Sequence, residues 1–418
     1  MKPIKIMLLG AGSRGRYAYA GYALQNPAMI KIAAVAEPDA AKREAIKNEH
    51  NIPNEFAFSS WEQAFEKLPP DIDGVIIATQ DQMHRGPIIA AMKHNLNILC
   101  EKPIVPRLEE CREIEKNSAG FSKVFMISHV LKYTGFFSKI KELLTEGRIG
   151  KLIGMDLLEH VGHIHYSHSF VRGNWRNSKE SSPMILAKSC HDMDMLYWLA
   201  GSSCESLSSF GDRQHFTEAN APAGAPKRCL DGCPYMNACP YYAPKIYLTN
   251  HTDWPVNVIT TDLSFGGRLA ALEKGPYGRC VFHCDNDVVD HQIVNIRFTN
   301  GVMANFTMSA FSAQIHRSIS LFGTAGEIKG DMEENKITLC EFATGTVETI
   351  EPGKTEGGHS GGDTGLMTDF ARLVRSGEFN DSRNMIANSF ESHYMAFAAE
   401  QSRLEKARTI QIDSFKRG

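Results

Sequence analysis

Six residues near the start of the chain have the types and spacing of a dinucleotide-binding loop. Residues 10 to 15 read Gly-Ala-Gly-Ser-Arg-Gly, the pattern G-x-G-x-x-G, directly after an apolar run from Ile4 to Leu9. Glycine permits the tight turn and lets the backbone approach a pyrophosphate, whose charge the amino end of the following helix stabilises. Between a strand and a helix, the motif predicts a dinucleotide site. The residues expected to contact the cofactor are Gly10, Gly12, Ser13, Arg14 and Gly15.

An acidic residue, Glu37, follows the second predicted strand, Ile30 to Ala36. It lies about 20 residues beyond the loop, where dinucleotide sites carry the ligand of the ribose. A carboxylate there bonds the ribose hydroxyls and repels a 2′-phosphate, which favours NAD over NADP. Arg14 in the loop could instead meet a phosphate, so NADP remains the alternative.

A lysine leaves the carboxyl end of a further predicted strand, Ile98 to Cys100, in the sequence Glu101-Lys102-Pro103. Ligands bind at that edge of an open parallel sheet. Beside an oxidised nicotinamide, positive charge and partial burial both favour the neutral amine, so Lys102 could exchange a proton near neutrality. A surface lysine at a strand end is the alternative.

Together these pieces resemble the Gfo/Idh/MocA family of NAD(P)-dependent oxidoreductases, over nearly the whole chain. The matching motifs are residues 10 to 15, Ala78-Thr79 with His84, Glu101-Lys102-Pro103, Trp175-Arg176, and His191 followed by Asp194. The resemblance implies that Thr79, His84 and Glu101 join the cofactor site, and that Lys102 lies against both the nicotinamide and a substrate hydroxyl. It also implies a second α/β domain, whose open sheet binds substrate on one face and often a partner subunit on the other.

The resemblance further implies that His191 is the general base, a role that imidazole chemistry suits. Family members typically carry an aspartate four residues before this histidine, but Ala187 occupies that position here. The role of the aspartate is therefore vacant or taken over by Lys188, Asp192 or Asp194. A hydrogen-bonded structural histidine at a helix start is the alternative for His191.

Polar and aromatic residues around the base are expected to face the substrate. Four histidines between residues 160 and 168 fit no closed metal-ligand set on one element, which favours a polar loop over the pocket. Trp175 offers a flat face for a sugar ring, although tryptophan is more often a core residue. The residues predicted to bind substrate are Tyr133, His165, Trp175, Arg176, Lys188 and Asp192.

Three cysteines, Cys229, Cys233 and Cys239, lie close together in a stretch rich in proline and glycine. Three thiols in so polar a loop would be explained by a structural zinc, with His215 or a later Cys or His as the fourth ligand. An iron–sulfur cluster is less favoured because the spacing matches no ferredoxin pattern. Reduced thiols that pack the loop are the third possibility.

The composition excludes several classes of protein. The 418 residues suggest about two domains, and 43% hydrophobic residues suffice for a real core. A net charge of −3, from 45 Lys plus Arg and 48 Asp plus Glu, argues against a nucleic-acid binder. No apolar run could span a bilayer, and the start lacks a signal-peptide core. We therefore expect a cytoplasmic protein with neither nucleic acid nor a membrane as partner.

The pattern of elements predicts an α/β fold in two domains. Strands and helices alternate over residues 1–130, as in the doubly wound parallel sheet of a Rossmann domain, with a capping box at Ser59 and Glu62. Residues 131–418 form the second domain, with longer, mostly antiparallel strands. Within it we expect a strand from Val256 to Phe265, a Cys-rich insertion at about 213–250 and a terminal helix at about 384–404.

The expected function is that of an NAD-dependent oxidoreductase acting on a secondary hydroxyl of a sugar, cyclitol or glycoside. One alternative is an NAD-dependent glycoside hydrolase that oxidises the ring transiently and eliminates the aglycone. Another is a non-catalytic regulator that binds a dinucleotide. The family's open sheet face implies a homo-oligomer, either a dimer or a tetramer.

Overall fold

A six-stranded parallel sheet forms the amino-terminal part of the protein, in a computed structural model that describes residues 2–353, 358–377 and 386–418. The strand order is β3-β2-β1-β4-β5-β6. The strands are β1 Ile4–Leu9, β2 Ile30–Ala36, β3 Ala57–Phe58, β4 Gly74–Ile77, β5 Asn97–Cys100 and β6 Phe125–Ile127. The order reverses direction between β1 and β4, and the carboxyl ends of the strands at such a switch point flank a ligand crevice.

Both faces of this sheet are covered, which is why β1 is an unbroken apolar run. Ile6 and Leu8 pack into the core on one face, and Met7 and Leu9 into the core on the other. The helices of this part are Arg14–Ala20 (a π-helix), Gly21–Gln25, Ala40–Glu49, Trp61–Glu66, Arg85–Lys93 and Leu108–Ser118, with 3-10 turns at Asn54–Phe56 and Asp81–Met83.

The predicted capping box is wrong by one residue. Ser60 caps the Trp61–Glu66 helix, and its side chain accepts the Gln63 amide at 3.4 Å. The hydroxyl of Ser59 instead donates to the side chain of Gln63. Two adjacent serines satisfy the same local pattern, and the extended backbone of Ser60 decides which one caps the helix.

A second, nine-stranded sheet forms the rest of the fold, in the order β14-β13-β12-β11-β7-β10-β9-β8-β15. Its strands are β7 Leu152–His160, β8 Cys204–Asp212, β9 His291–Phe298, β10 Met303–Ser309, β11 His316–Gly323, β12 Gly326–Asp331, β13 Lys336–Glu341, β14 Thr346–Ile350 and β15 Ile410–Gln411. Within this second sheet, the β10–β7 pair is parallel and the other described strand pairs are antiparallel. The predicted α/β class, a doubly wound parallel sheet followed by a mostly antiparallel one, is confirmed.

One face of the second sheet is buried under helices and the other is open. Alternate residues of β9, Val294, Ile296 and Phe298, are buried, while Ile293 on the opposite face is 41% exposed. Burying each such side chain is worth roughly 1.5–3 kcal/mol, so the period of two fixes which face turns inward.

The helices of this second part include several short ones. They are Gly135–Thr145, His163–Tyr166, Ser167–Arg172 (a π-helix), Met184–Ala187, Cys190–Ala200, Ala243–Tyr247, Val256–Ile259, Phe265–Lys274, Gly362–Ser376, Ile386–Leu404 and Ile412–Arg417, with 3-10 turns at Val130–Tyr133, Glu218–Asn220 and Pro276–Gly278. In the described part of the chain, no helix combines the length and the apolar character needed to cross a membrane.

The strand predicted from Val256 to Phe265 is wrong. The chain there forms the short Val256–Ile259 helix, and Ser264 then caps the Phe265–Lys274 helix by accepting the Gly267 amide at 3.1 Å. The β-branched residues suggested a strand, but this segment has no neighbouring strand with which to pair. Local preference for strand depends on such partners.

The predicted Cys-rich insertion at about 213–250 lies within a longer segment between two strands. The chain leaves the second sheet after β8 and rejoins it at β9, so residues 213–290 form one excursion. Within it, five buried residues make a small core of their own: Cys229, Ala243, Tyr247, Leu272 and Tyr277.

The last two long helices both pack on the first sheet, and the second of them also packs on the other sheet. The Gly362–Ser376 helix packs its buried Phe370 into the core of the first sheet. The Ile386–Leu404 helix places Tyr394 in the first sheet's other core and Met395 in the core of the second. Residues 384 and 385, where this helix was predicted to begin, lie outside the described residues. The domain division at residue 130 stays a prediction about the path of the chain, because the Ile386–Leu404 helix packs on both sheets.

We predict that Phe370→Ala destabilises the protein by about 3–5 kcal/mol, because it empties a fully buried ring site that docks a late helix on the first sheet. Urea unfolding measures the change. Leu404→Ala, at a side chain that is 67% exposed, is the matched control and should change stability by less than about 0.5 kcal/mol. Equal losses in the two variants would contradict this docking.

Candidate active site

Four loops leave the carboxyl edge of the first sheet and form the candidate site. The glycine loop of residues 10–15 follows β1, Glu37 follows β2, Thr79 follows β4, and Lys102 follows β5. Their strands are neighbours in the sheet. Residues that the sequence places far apart are thus brought to one edge, where open parallel sheets bind ligands.

Each glycine of the loop meets a different steric demand. Gly10 has a φ of +92°, and a Cβ on it would lie 2.5 Å from the Ala78 carbonyl oxygen. A Cβ on Gly15 would lie 2.0 Å from the carbonyl oxygen of Gly10. The Cβ position of Gly12, by contrast, has no atom within 4 Å. Gly10 and Gly15 therefore close the turn, while Gly12 leaves open space where a pyrophosphate could approach the backbone.

Glu37 lies directly beside this loop. One carboxylate oxygen accepts the Ala11 amide at 2.7 Å, and the other accepts the Asp39 amide at 3.0 Å. The side chain is nearly buried, so its negative charge is held at the end of β2. This location fits a group that bonds ribose hydroxyls and disfavours an added phosphate.

Arg14 does not offer its guanidinium to a ligand phosphate. Its Nε donates to Glu101 at 2.6 Å, and its two Nη atoms donate to both oxygens of Asp363 at 2.8 and 2.7 Å. Asp363 lies at the start of the Gly362–Ser376 helix, far along the chain. The predicted alternative, Arg14 as a phosphate ligand, is corrected: two carboxylates already occupy this cation.

Glu101 is the centre of that network, and its contact with the cofactor stays a prediction. It also accepts the hydroxyls of Tyr19 and Ser128 and the backbone amide of Lys102. Burial opposes its charge, but Arg14 and then Lys102 outweigh burial and lower the pKa of Glu101 to about 2. The carboxylate therefore stays ionised and holds the glycine loop to the end of β5.

His84 lies between two loops. It is fully buried, with Nδ1 2.8 Å from the Pro103 carbonyl oxygen and Nε2 3.2 Å from that of Thr79. These contacts give it a role in positioning the loops, and its contact with the cofactor stays a prediction. The hydroxyl of Thr79 is buried with no hydrogen-bond partner among the described residues, and it lies at the crevice edge.

Lys102 reaches across the crevice to the second part of the chain. Its Nζ donates to the carbonyl oxygen of Ala187 at 2.7 Å and lies 5.8 Å from the ring centre of Trp175. Ala187 is the position at which the family typically has an aspartate. A backbone carbonyl is thus the group that this position offers to Lys102.

His191 lies in the first turn of the Cys190–Ala200 helix, close to Lys102. Its ring is nearly buried, and Nδ1 has no hydrogen-bond partner in the described part of the chain. Burial, and then the charge of Lys102, lower the pKa of His191 well below its usual value. The imidazole is therefore neutral at physiological pH and can accept a proton or a hydrogen bond.

Behind His191 lies a set of buried groups that the sequence analysis missed. His129 packs edge-on against both His191 and His393, with ring centres 5.6 and 5.7 Å apart. His393 Nε2 accepts the Ile104 amide at 2.8 Å, so its Nδ1 carries the proton given to the Ser389 carbonyl at 2.7 Å. His129 could have been predicted, because it follows β6 at the same carboxyl edge of the sheet. No local sequence pattern around His393 indicates that it lies here.

The candidates for replacing the missing aspartate form ion pairs elsewhere. Lys188 Nζ lies 3.1 Å from Glu159, and Arg317 Nε lies 2.6 Å from Glu159 and 2.9 Å from Asp192. Asp192 is fully buried, so its predicted substrate contact is corrected. Lys188 is likewise engaged by a buried carboxylate.

Asp194 also forms an ion pair with another residue. It lies 2.8 Å from the Nζ of Lys132, and both side chains are buried. Together with the pairs above, this leaves the Ala187 carbonyl as the hydrogen-bond acceptor of Lys102 among the described residues.

Two further predicted substrate ligands bond to other segments of the chain. The hydroxyl of Tyr133 donates to Asp369 at 2.7 Å, on the Gly362–Ser376 helix. Arg176 forms a two-pronged contact with Asp285 at 2.8 and 3.0 Å. Both residues therefore join segments of the fold, and their contact with substrate stays a prediction.

Trp175 and His165 stay at the crevice. The indole of Trp175 donates to Asp81 at 3.2 Å, so its ring is held beside Lys102. The ring of His165 lies 5.0 Å from that of Trp254, a half-exposed residue of the excursion. Burial, followed by the charge of Lys188, lowers the pKa of His165 to about 2, so it too is neutral.

The predicted zinc ligands do not converge on a single ion. His215 is surrounded by aromatic rings, with Phe216 at 4.9 Å and Phe282 at 5.4 Å, and it joins no ligand group. Cys229, Cys233 and Cys239 are all free thiols. Within the described residues, no three cysteine sulfurs lie within 4.8 Å of one another.

Two family models match the chain. The first, described as an oxidoreductase family with an NAD-binding Rossmann fold, matches residues 4–129. The second, described as the C-terminal alpha/beta domain of that oxidoreductase family, matches residues 141–380. The two matches follow the two sheets of the structure.

Among curated relatives, the Bacillus subtilis protein YteT, named as an oxidoreductase, is 23% identical over 329 residues, which is 75% of each chain. A 2,7-anhydro-N-acetylneuraminate hydratase of Mediterraneibacter gnavus is 25% identical over 219 residues, 50% of this chain and 53% of that protein. A solved levoglucosan dehydrogenase in complex with NADH and levoglucosan superposes with a TM-score of 0.73 at 16% identity, covering 98% of this chain and 100% of that chain. The last likeness is one of fold.

We predict that Gly12→Val weakens NADH binding by at least ~10-fold, because the new side chain fills the open space over the loop. The variant should keep its melting temperature without cofactor. Titration of NADH fluorescence measures the affinity. Gly266→Val, in the exposed first turn of the Phe265–Lys274 helix, is the control, because a Cβ there also meets no atom within 4 Å. Unchanged NADH affinity in Gly12→Val would contradict the assignment of this open space to the pyrophosphate.

We also predict a pH effect from His393, whose pKa is lowered to about 3 by burial and then by His129. The unfolded histidine titrates near 6.5, so the unfolded chain binds the proton first and stability falls below that pH. Lowering the pH from about 7.5 to about 5 should cost the wild type about 2 kcal/mol more than His393→Gln, whose side-chain oxygen can still accept the Ile104 amide. Urea unfolding at both pH values tests this; an identical pH dependence would contradict it.

Proposed function

The chain belongs to the Gfo/Idh/MocA oxidoreductase family, and from that premise we propose an NAD-dependent oxidoreductase acting on a secondary hydroxyl of a sugar, cyclitol or glycoside. The observation that carries the proposal is the juxtaposition of a cationic Lys102 and a neutral His191 beside the glycine loop. One group stabilises an alkoxide and the other accepts a proton, and oxidation of an alcohol needs both.

The chain's own residues handle the proton of the substrate. Lys102 uses one N–H on Ala187 and has further N–H groups for the substrate oxygen, where its charge stabilises developing negative charge. His191 accepts the hydroxyl proton as the carbon–hydrogen bond breaks. The glycine loop and Glu37 would hold the pyrophosphate and ribose of NAD, whose nicotinamide would supply the hydride acceptor. In reduction, His191 returns the proton to the oxygen.

NAD is the proposed cofactor in preference to NADP. The carboxylate of Glu37 stands where a 2′-phosphate would lie, and its negative charge repels one. Arg14, the cation that could have compensated, is already bonded to Glu101 and Asp363. Together these contacts support a site for the unphosphorylated ribose.

A carbohydrate is the proposed substrate. The Trp175 ring beside Lys102 offers an apolar face of the kind that a sugar ring covers, with Asp81 and neutral His165 nearby as hydrogen-bonding groups. The names of a matched relative and of a matched structure refer to anhydro sugars, which agrees with this class. Which sugar and which carbon react is left to the assay below.

Two other activities compete with this one. The name hydratase on a matched relative describes chemistry with no net oxidation, and it favours the alternative of transient ring oxidation followed by elimination, as in an NAD-dependent glycosidase. A regulator that binds a dinucleotide would need neither Lys102 nor His191 at the crevice, so their presence there weighs against it.

The proposal also includes a homo-oligomer, a dimer or a tetramer, in the cytoplasm. The open face of the second sheet carries exposed apolar side chains, notably Phe210 at 63% and Met303 at 58% exposure. Apolar patches of this kind mark protein interfaces. All ten cysteines are free thiols, which supports a reducing compartment.

We predict that Lys102→Met lowers kcat by at least ~100-fold while NADH still binds, because the charge that stabilises the developing alkoxide is lost. Lys329→Met, at a lysine exposed on β12, is the control and should keep full activity. The assay incubates the protein with NAD and a panel of sugars and aryl glycosides. Normal turnover in Lys102→Met would refute its role.

The same panel separates the three activities. Growth of NADH in proportion to consumed sugar supports the dehydrogenase. Release of aglycone without net NADH supports the glycosidase. NAD binding with no turnover on any substrate supports the regulator and contradicts the enzyme.

A further inference from the structure

A second tryptophan lies beside the crevice, on a loop of the excursion. Trp254 is 46% exposed, although tryptophan side chains are on average largely buried. Its ring meets the rings of His165 and His168 edge-to-face, with centres 5.0 and 5.5 Å apart. The two histidines thus hold the indole in place while nearly half of its surface stays accessible to a ligand.

A row of aromatic rings joins this indole to the reacting groups. The ring centre of His165 lies 6.1 Å from that of Phe170, which in turn lies 6.0 Å from that of Trp175. Trp175 is the ring beside the Nζ of Lys102. Two rings therefore lie between the indole of Trp254 and the indole next to the reacting hydroxyl.

The loop that carries Trp254 is anchored on both sides of the crevice wall. Buried Arg268, from a following helix of the excursion, donates to the carbonyl oxygens of Tyr247 and Thr249 at 2.9 and 2.8 Å. The hydroxyl of Tyr247 lies 2.9 Å from Nδ1 of His168, which contacts the indole itself. A surface held in this way is preorganised, so little protein ordering is lost when a ligand binds to it.

Polar side chains border the indole in the chain. Asn250, His251, Thr252 and Asp253 directly precede it, and all four are exposed. A sugar carries C–H groups on the face of its ring and hydroxyls around the rim. An open tryptophan next to polar groups therefore offers a partner to both parts of a sugar, as small-molecule sites combine aromatic walls with a few polar groups.

We propose that Trp254 forms an outer subsite for a second sugar ring, so that the substrate class is a glycoside of at least two sugar units. This subsite rests on the proposed oxidation at Lys102, since it selects which alcohols reach that lysine. The ring that reacts lies on Trp175, and a ring joined to it through glycosidic linkage reaches Trp254. A single ring on Trp175 leaves Trp254 uncovered, because Phe170 and His165 lie between the two indoles.

We expect Trp254→Ala to raise the KM for a disaccharide by at least ~10-fold and to leave kcat unchanged, because the lost contact acts on binding and not on the transfer of hydride. The KM for the corresponding monosaccharide should not change. Phe265→Ala, at another exposed apolar side chain of the excursion, is the matched control and should keep both KM values. Since both side chains are exposed, both variants should keep the wild-type melting temperature.

The kinetic assay compares monosaccharides with disaccharides that contain them: glucose with cellobiose and maltose, and galactose with lactose, each with NAD. For the wild type we expect a KM at least ~10-fold lower for a disaccharide than for its monosaccharide. Equal KM values for the two would overturn the outer subsite and leave the oxidoreductase in place. A Trp254→Ala protein that loses both sugars alike would also overturn it, because the indole would then serve the reacting ring or the fold.

Calorimetric titration of the NADH-loaded protein with the same sugars separates the subsite from the activity. Tighter binding of a disaccharide than of its monosaccharide, lost in Trp254→Ala and kept in Phe265→Ala, supports the subsite even when no sugar is oxidised. Absence of measurable binding for every disaccharide would overturn the subsite, whatever the protein oxidises.

Discussion

The ionised carboxylate of Glu101 is the constraint on which the site depends. It bonds Arg14 of the glycine loop, the amide of Lys102 and the hydroxyl of Ser128, so three loops of the first sheet share one buried acceptor. Arg14 extends the network to Asp363 on a helix from the far end of the chain. Breaking a buried pair of this kind costs about 3–5 kcal/mol, so the loops adopt one arrangement relative to one another.

The remaining charges around the crevice are balanced so that few groups are left for a substrate. Lys132 pairs with Asp194, and Arg317 pairs with Glu159 and Asp192, all of them buried. Burial keeps His129, His191 and His393 neutral by lowering the pKa of each. Lys102 is held by a backbone carbonyl and not by a carboxylate. Among the described residues, the crevice thus combines this lysine with neutral imidazoles and with Asp81, a set of hydrogen-bonding groups suited to a polyol.

Much of this could be predicted from the sequence because the deciding interactions are local. An apolar run buried on two faces identifies β1, and Gly10, Gly12 and Glu37 follow from loop sterics and strand ends. Other features depend on partners far along the chain. Asp363 pairs with Arg14 through tertiary packing that no local pattern encodes. The segment from Val256 to Phe265 has the composition of a strand, but it pairs with no described strand and Val256–Ile259 forms a helix. Asp192 and Tyr133 bond to Arg317 and Asp369 on other elements, which no local pattern predicts.

The central claim is that Glu101 holds the cofactor loop and Lys102 in one working arrangement. The most direct test is NADH titration of Glu101→Gln, which keeps the shape of the side chain and removes its charge. The account predicts an intact fold by circular dichroism and NADH affinity reduced by at least ~10-fold, because Arg14 loses one of its two buried counter-charges. Wild-type affinity in a folded Glu101→Gln protein would contradict it.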